Sequence, residues 1–98
     1  MPQHEEKLYC LVDSRLSRSQ QAVQSAHGVA QWCLEYPYAW RNGTLVLLKV
    51  PEPRQWILAN GIRANGKFTQ FREPDWDNRV TCVVGMGWEE IAKNLPLL

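Results

Sequence analysis

Four polar side chains follow one face of a predicted helix and could line a substrate groove. Gln20, Gln24, His27 and Gln31 are spaced at i, i+4, i+7 and i+11, which places them in one stripe of an α-helix. A solvated face explains such a stripe without any function, although solvated faces usually carry Lys and Glu. Because amides and imidazole both donate and accept hydrogen bonds, the stripe also suits substrate binding. Both interpretations stay open on the pattern alone.

A second group of polar residues lies where predicted strands end. The first strand ends at Asp13, and Arg15 and Arg18 follow in the loop that leads into the helix. Ligands of open α/β sheets bind at the carboxyl ends of parallel strands, and a helix N-terminus offers unpaired N–H groups to phosphate. This loop is therefore a predicted phosphate site. Further candidates on or between the last two predicted strands are Thr69, Glu73, Asp75 and Thr81.

The hydrophobic pattern predicts the elements that position these residues, in the order β-α-β-α-β-β-α. Strands are predicted at residues 8–12, 44–50, 67–71 and 80–86. Helices are predicted from the capping box of Ser17 and Gln20 to about Tyr36, from Pro51–Pro53 to near Gly61, and over residues 88–95. The expected core face of the first helix comprises Ala22, Val23, Ala26, Val29, Ala30, Cys33 and Leu34.

Strands that alternate with helices predict an α/β fold on a four-stranded, mixed but mostly parallel sheet. The third and fourth strands are close in sequence, so we expect them to be antiparallel. The length of 98 residues predicts a single domain, with residues 1–6 expected to be mobile.

Composition and cysteine usage restrict the class of protein. Apolar residues make up 45% and charged residues 21% of the chain, as in ordinary globular proteins. The three cysteines lie in apolar runs without metal-ligand spacing, which favours free thiols in a reducing compartment and predicts no metal or cofactor. No apolar stretch approaches the roughly 20 residues that span a bilayer, and the start is polar and acidic, unlike a signal peptide. We therefore expect a cytoplasmic protein without a membrane partner.

The charge of the chain is nearly balanced overall but uneven along its length. The net charge is +1, which is not typical of a strong nucleic-acid binder. Residues 41–72 nevertheless contain six basic side chains against Glu52 alone, and residues 73–90 contain five acidic side chains against Arg79 alone. This asymmetry could orient a partner, although surface charge often serves only solvation.

Several segments, in this order and spacing, resemble the type-two peptidyl-tRNA hydrolases. Residues 16–27 (LSRSQQAVQSAH) resemble that family's first loop and helix, and residues 43–48 (GTLVLL) resemble its following strand. Thr69-Gln70, residues 80–85 (VTCVVG) and residues 95–98 (LPLL) resemble its closing segments, and residues 72–75 (REPD) resemble a bacterial and phage branch. The resemblance implies a three-layer α/β/α fold, often dimeric. It also implies metal-free hydrolysis of the ester between a peptide and the tRNA 3′ end, which recycles stalled peptidyl-tRNA.

The resemblance assigns catalytic positions residue by residue. The family's Gly-Lys-x-x-x-Gln helix pattern places its glutamine at Gln24 and its lysine position at Gln20. The family's aspartate lies four residues before a Thr-Gln pair, which corresponds to Asn65 ahead of Thr69, and its second threonine corresponds to Thr81. Both charged positions of the family's site are therefore neutral amides in this chain.

An ester hydrolase needs a group that activates water, and amides cannot accept a proton at neutral pH. We therefore expect a substitute acid or base among the nearby ionisable side chains, namely His27, Asp13, Glu73 and Asp75. The expected tRNA contacts are Arg15, Arg18 and Lys67. Two alternatives remain at this stage. One is an inactive module of the same fold that binds tRNA, another RNA or a protein. The other is a dimeric domain whose polar helix face forms the interface.

Overall fold

The computed structural model describes residues 6–60 and 67–98 and shows an α/β fold. Within these residues, two helices and one 3₁₀ turn connect the four strands of one mixed sheet. In chain order the elements are β1 (Lys7–Asp13), α1 (Arg18–Glu35), β2 (Thr44–Val50), α2 (Pro53–Asn60), β3 (Phe68–Glu73), the 3₁₀ turn (Pro74–Trp76) and β4 (Arg79–Met86).

The sheet has the strand order β2-β1-β4-β3, which corrects the expectation of a mostly parallel sheet. Only β1 and β2 pair in parallel, whereas β4 is antiparallel to both β1 and β3. The predicted antiparallel pairing of β3 and β4 is confirmed. The five residues between these two strands form a hairpin, and β4 inserts between β1 and β3. An apolar run such as that of β4 therefore marks a central strand buried on both faces, and its direction does not follow from the pattern.

Alternate residues of β1 contribute to two separate core clusters. Leu8 and Cys10 contact Trp32 of α1, whereas Tyr9 and Leu11 belong to a cluster that contains Ile57 of α2. This division follows from the two-residue period of a strand, which sends successive side chains to opposite faces. The sheet is therefore buried from both sides, and β1 lies at the centre of the core.

Helix α1 begins as predicted but presents a different face to the sheet. Ser17 is the N-cap, and its reciprocal hydrogen bonds with Gln20 confirm the capping box. The residues of α1 that are buried are Gln21, Gln24, Ser25, Gly28 and Trp32, whereas most of the expected core face is exposed, with Leu34 79% exposed. Gly28 contributes to this orientation, because a Cβ at this position would overlap with Sγ of Cys82 on β4. The missing side chain of Gly28 therefore allows the helix to lie close to the sheet.

The predicted last helix is wrong. Residues 89–94 form turns instead, with Trp88 buried in the core below them. Pro96 disfavours helical conformation in the residue before it, and the segment is too short for a stable helix. The chain then runs along the outer edge of β2, where Lys49 N donates to Pro96 O at 3.1 Å and Leu98 N donates to Leu47 O at 3.1 Å.

Candidate functional site

The polar stripe of α1 lies along β3 and makes specific side-chain contacts with it. His27 stacks on Phe71, with ring centroids 4.6 Å apart and planes within 3° of parallel. One turn towards the N-terminus of α1, Gln24 contacts Glu73 at the end of β3. Near the other end of the helix, Thr69 donates a hydrogen bond to Glu35 at 2.6 Å. The stripe is therefore more than a solvated face, because it pairs with alternate residues of the edge strand β3.

Gln24 is the centre of a hydrogen-bonded group that connects β4, α1 and β3. The Thr81 hydroxyl donates to Gln24 Oε1 at 2.6 Å, and Gln24 Nε2 donates to Glu73 Oε1 at 2.8 Å. Gln24 and Thr81 are buried, so these bonds form away from water. An ionised carboxylate can only accept hydrogen bonds, so the Gln24 amide must direct its nitrogen towards Glu73 and its oxygen towards Thr81. The Thr81 hydroxyl is therefore the donor to that oxygen. We call Thr81, Gln24 and Glu73 the Gln24 relay.

The relay holds Glu73 in its ionised form. The hydrogen bond from Gln24 lowers the pKa of Glu73 below its ordinary value, and the backbone N–H of Asp75 and the nearby charge of His27 lower it further. The contact from Asp75 N reaches Glu73 Oε2 at 3.3 Å, so each carboxylate oxygen has a donor. Glu73 is therefore a fixed negative charge at neutral pH. It can orient and polarise a water molecule, although a low pKa limits its strength as a base.

A hollow of about 250 Å³ opens beside the relay, between the first turns of α1 and the β3–β4 connection. It is lined by Ser19, Gln20, Val23, Gln24, Glu73, Asp75 and Trp76. Gln20 uses its side-chain oxygen in the capping box, where Ser17 N donates to Oε1 at 3.1 Å. The amide NH₂ group of Gln20 thus remains able to donate to a ligand in the hollow. The hollow combines the carboxylates of Glu73 and Asp75, two amides and an aromatic wall.

Asp13 lies in a separate cluster at the end of β1. Its buried carboxylate accepts from Arg15 Nε at 3.0 Å and Arg15 Nη2 at 3.0 Å, and also from Arg79 Nη2. Burial raises the pKa of Asp13, but the hydrogen bonds from Arg15 and Arg79 outweigh it and leave the pKa below its ordinary value. Two guanidinium groups occupy this carboxylate, which favours an ion-pair role over that of a base.

The remaining predicted site residues that the structure describes are not brought to the hollow. Thr69 pairs with Val84 on β4, three residues from Thr81, which separates the two threonines by about 10 Å along the strand. Lys67 places its Nζ 5.8 Å from the ring centroid of Tyr36, near the same end of α1 as Thr69. Arg18 lines a different hollow beside Lys49. Asn65 lies outside the described residues.

Sequence analysis missed the pairing that organises the site. It named Gln24 and Glu73 as separate candidates and did not identify Trp76 and Val23 as the wall of one hollow. The available signal was the alternation of β3, since Thr69, Phe71 and Glu73 share one face of that strand. Matching this face to the stripe of α1 would have required knowledge that the two elements are neighbours.

Comparison with known proteins gives no family assignment. No protein-family model matches the chain, and no curated protein matches it.

Across residues 6–60 and 67–98, no helix is both long and apolar enough to cross a bilayer. Within those same two ranges, no three His, Cys, Asp or Glu side chains are grouped so that they could hold a metal ion.

Proposed function

We propose that this chain is a peptidyl-tRNA hydrolase-like enzyme that cleaves the ester between a peptide and the tRNA 3′ end. The observation that carries the proposal is the Gln24 relay beside the hollow, because Gln24 and Thr81 are two of the positions that the resemblance assigns to catalysis. Their side chains are hydrogen bonded to each other although they are 57 residues apart in the sequence. Together they position the Glu73 carboxylate. A carboxylate can activate water, which an ester hydrolase requires and which neither Gln20 nor Gln24 can do.

In this proposal Glu73 takes the place of the charged groups that the family pattern has elsewhere. Glu73 accepts a proton from a water molecule as the water oxygen attacks the ester carbonyl carbon. The Gln20 amide donates to the carbonyl oxygen as negative charge develops there. The bond from the carbonyl carbon to the ribose oxygen then breaks, and the proton held by Glu73 passes to that oxygen. The products are a peptide with a free carboxyl group and a tRNA with a free 3′-terminal hydroxyl.

The three-layer α/β/α arrangement and the cytoplasmic location belong to the same proposal. The two core clusters support the layered arrangement, since Trp32 of α1 lies in one cluster and Ile57 of α2 lies in the other. The odd number of cysteines, all of which lie in apolar runs, supports a reducing compartment.

The experiment compares release of an N-acetylated amino acid from tRNA by the wild type and by Glu73→Gln. We expect kcat of the variant to be at least about 100-fold lower than that of the wild type, because general acid–base catalysis contributes about 100-fold to 10,000-fold. Asp77→Asn is the matched control, because it makes the same acid-to-amide change in the same loop, and it should retain wild-type activity. Equal activity in Glu73→Gln and the wild type would contradict the assignment of Glu73.

The pH dependence of the rate separates Glu73 from a histidine base. The lowered pKa keeps Glu73 ionised throughout the neutral range, so kcat should be flat between about pH 6 and 8. An imidazole base loses activity as the pH falls through about 6.5. A fall in that range that disappears in His27→Gln would identify His27 as the base instead.

The second candidate is a module of the same fold that binds tRNA without cleaving it. The low pKa of Glu73 favours it, because a weakly basic carboxylate activates water less effectively. Wild-type protein that binds tRNA and releases no amino acid would support this candidate and contradict the hydrolase.

A further inference from the structure

Four arginines from four different segments line one cleft on the other side of the β3–β4 hairpin. Arg15 follows β1, Arg54 belongs to α2, Arg72 to β3 and Arg79 to β4. The cleft has a volume of about 330 Å³, and Glu52 is its acidic lining residue. We call it the arginine cleft. Of these four residues, only Arg15 stands among the nucleic-acid contacts expected from the sequence.

Hydrogen bonds hold each guanidinium group in place around the cleft. Arg15 and Arg79 both donate to the buried carboxylate of Asp13. Arg54 Nη1 donates to Gln70 Oε1 at 3.1 Å, and Arg72 Nη1 donates to the carbonyl oxygen of Asn78 at 3.4 Å. A guanidinium group has five N–H donors, so each of the four retains donors for a ligand. The buried Asp13 therefore fixes Arg15 and Arg79, whereas the exposed Arg54 and Arg72 are each held by one hydrogen bond.

The charges of the cleft do not balance. Asp13 and Glu52 supply two negative charges against the four guanidinium groups, which leaves an excess of two positive charges in one concave site. Like charges held close together repel, and an anion that enters the cleft removes this repulsion. Guanidinium groups bind phosphate oxygens in a two-pronged geometry, and a phosphate or two successive phosphates match the excess charge better than one carboxylate does.

The arginine cleft and the hollow lie at the same end of the sheet. Arg72 and Glu73 are neighbours on β3, so their side chains point to opposite faces, one into the cleft and the other into the hollow. A polynucleotide whose 3′ end occupies the hollow reaches the cleft by passing around the β3–β4 connection. The half-buried Trp76 in that connection supplies an aromatic surface on the hollow side.

We propose that the arginine cleft binds backbone phosphates of the RNA strand and thereby positions its 3′ end in the hollow. The identity of the strand as the substrate rests on the proposed function, whereas phosphate binding by the cleft does not. Arg54 and Arg72 are positioning residues in this scheme. Asp13 acts through Arg15 and Arg79, which it holds at the base of the cleft.

The test measures binding of deacylated tRNA, which has no ester, to the wild type and to Arg54→Gln/Arg72→Gln. Arg15 and Arg79 are left intact because their removal would strand the buried carboxylate of Asp13. The matched control is Arg41→Gln/Lys93→Gln, which removes the same two charges at exposed positions outside the cleft. Circular dichroism of each variant confirms that it is folded.

The cleft variant should bind tRNA at least tenfold more weakly at about 50 mM salt. When log affinity is plotted against log salt concentration, the slope for the cleft variant should be smaller in magnitude than the wild-type slope by about 1 to 2. Each lost phosphate contact removes about 0.7–0.9 from that slope. The control should differ from the wild type by less than threefold. Equal weakening in the control, an unchanged salt slope in the cleft variant, or no binding of tRNA by the wild type would each overturn the proposal.

Hydrolysis assays on the same proteins distinguish failure of the cleft from failure of the proposed function. A positioning role raises KM in the cleft variant and leaves kcat at saturation within about threefold of the wild type. Loss of tRNA binding in the variant together with an inactive wild type would support the cleft and contradict the hydrolase. An active wild type with unchanged KM in the variant would support the hydrolase and overturn the cleft.

Discussion

The hydrogen bond between Thr81 and Gln24 should contribute measurably to stability, and a double-mutant cycle isolates it. Thr81→Val keeps the shape of the side chain but removes the donor that lies 2.6 Å from Gln24 Oε1. Both residues are buried, so the amide oxygen loses its partner without gaining water. A buried acceptor left unsatisfied costs about 1–3 kcal/mol, and burial of the new methyl group returns up to about 0.8 kcal/mol. We expect the free energy of unfolding to fall by about 1–2 kcal/mol.

The second arm of the cycle replaces Gln24 with methionine, which has a similar shape and no hydrogen-bonding amide. Gln24→Met alone leaves the Thr81 hydroxyl unsatisfied, whereas the double variant places two apolar groups against each other. The double variant should therefore be more stable than the sum of the two single effects predicts, by about 1–2 kcal/mol. Urea unfolding followed by tryptophan fluorescence measures all four proteins, since the chain has five tryptophans.

The control cycle combines Thr81→Val with Gln31→Met. Gln31 lies on the same helix but donates its hydrogen bond to Glu35, so these two changes should be additive within about 0.5 kcal/mol. Additivity in the Thr81 and Gln24 cycle as well would refute the relay. The geometry on which the proposed function depends would then be wrong, whatever the activity assay shows.

Two further predictions concern the close approach of α1 to the sheet and the charge of Asp13. Gly28→Ala should lower the free energy of unfolding by about 1–3 kcal/mol, because the new Cβ overlaps with Cys82 Sγ on the central strand. The double variant Gly28→Ala/Cys82→Ala removes this overlap and should recover part of the lost stability in the same urea assay. A stabilising Gly28→Ala would mean that the helix does not approach the sheet there. The pKa of Asp13 is lower in the folded protein than in the unfolded chain, so the ionised carboxylate stabilises the fold. This contribution to the free energy of unfolding is complete above the pKa of the unfolded chain, about 3.9, and is lost as the pH falls through the lower pKa of the folded protein. Asp13→Asn should therefore be less stable than the wild type at pH 7. It should also lose less stability than the wild type as the pH falls below about 4. Equal losses of stability in the two proteins would contradict the ion-pair assignment.

Local signals in the sequence were sufficient for the elements whose ends depend on neighbouring residues. The start of α1 follows from Ser17 and Gln20, since a capping box involves only residues three positions apart. The β3–β4 hairpin likewise follows from two strands joined by a short polar segment. The predicted last helix failed because the burial of Trp88 and the pairing of residues 96–98 with β2 depend on the rest of the fold.

The orientation of α1 shows why the site itself was harder to predict. Alanine and valine suggested the core face, but the helix needs a position without a side chain where it lies against Cys82 of the sheet, and Gly28 is that position. That rotation carries Gln24 from a solvated stripe to a buried position between Thr81 and Glu73. Sequence periodicity gives the spacing of residues around a helix, whereas the buried sector depends on which partner the helix meets.

The neutral amides of this chain change what Glu73 can do. A lysine at the position of Gln20 would line the hollow as a cation and would pair with the carboxylate across it. Gln24 instead holds Glu73 by a hydrogen bond from a neutral amide, so no lysine neutralises the carboxylate and its charge remains available to a water molecule or a ligand. The four guanidinium groups lie on the other side of the β3–β4 hairpin, in the arginine cleft. This separation keeps the Glu73 carboxylate and the arginines from neutralising each other. Under the proposed function, one end of the sheet therefore binds a polyanion while it retains an acidic group for chemistry.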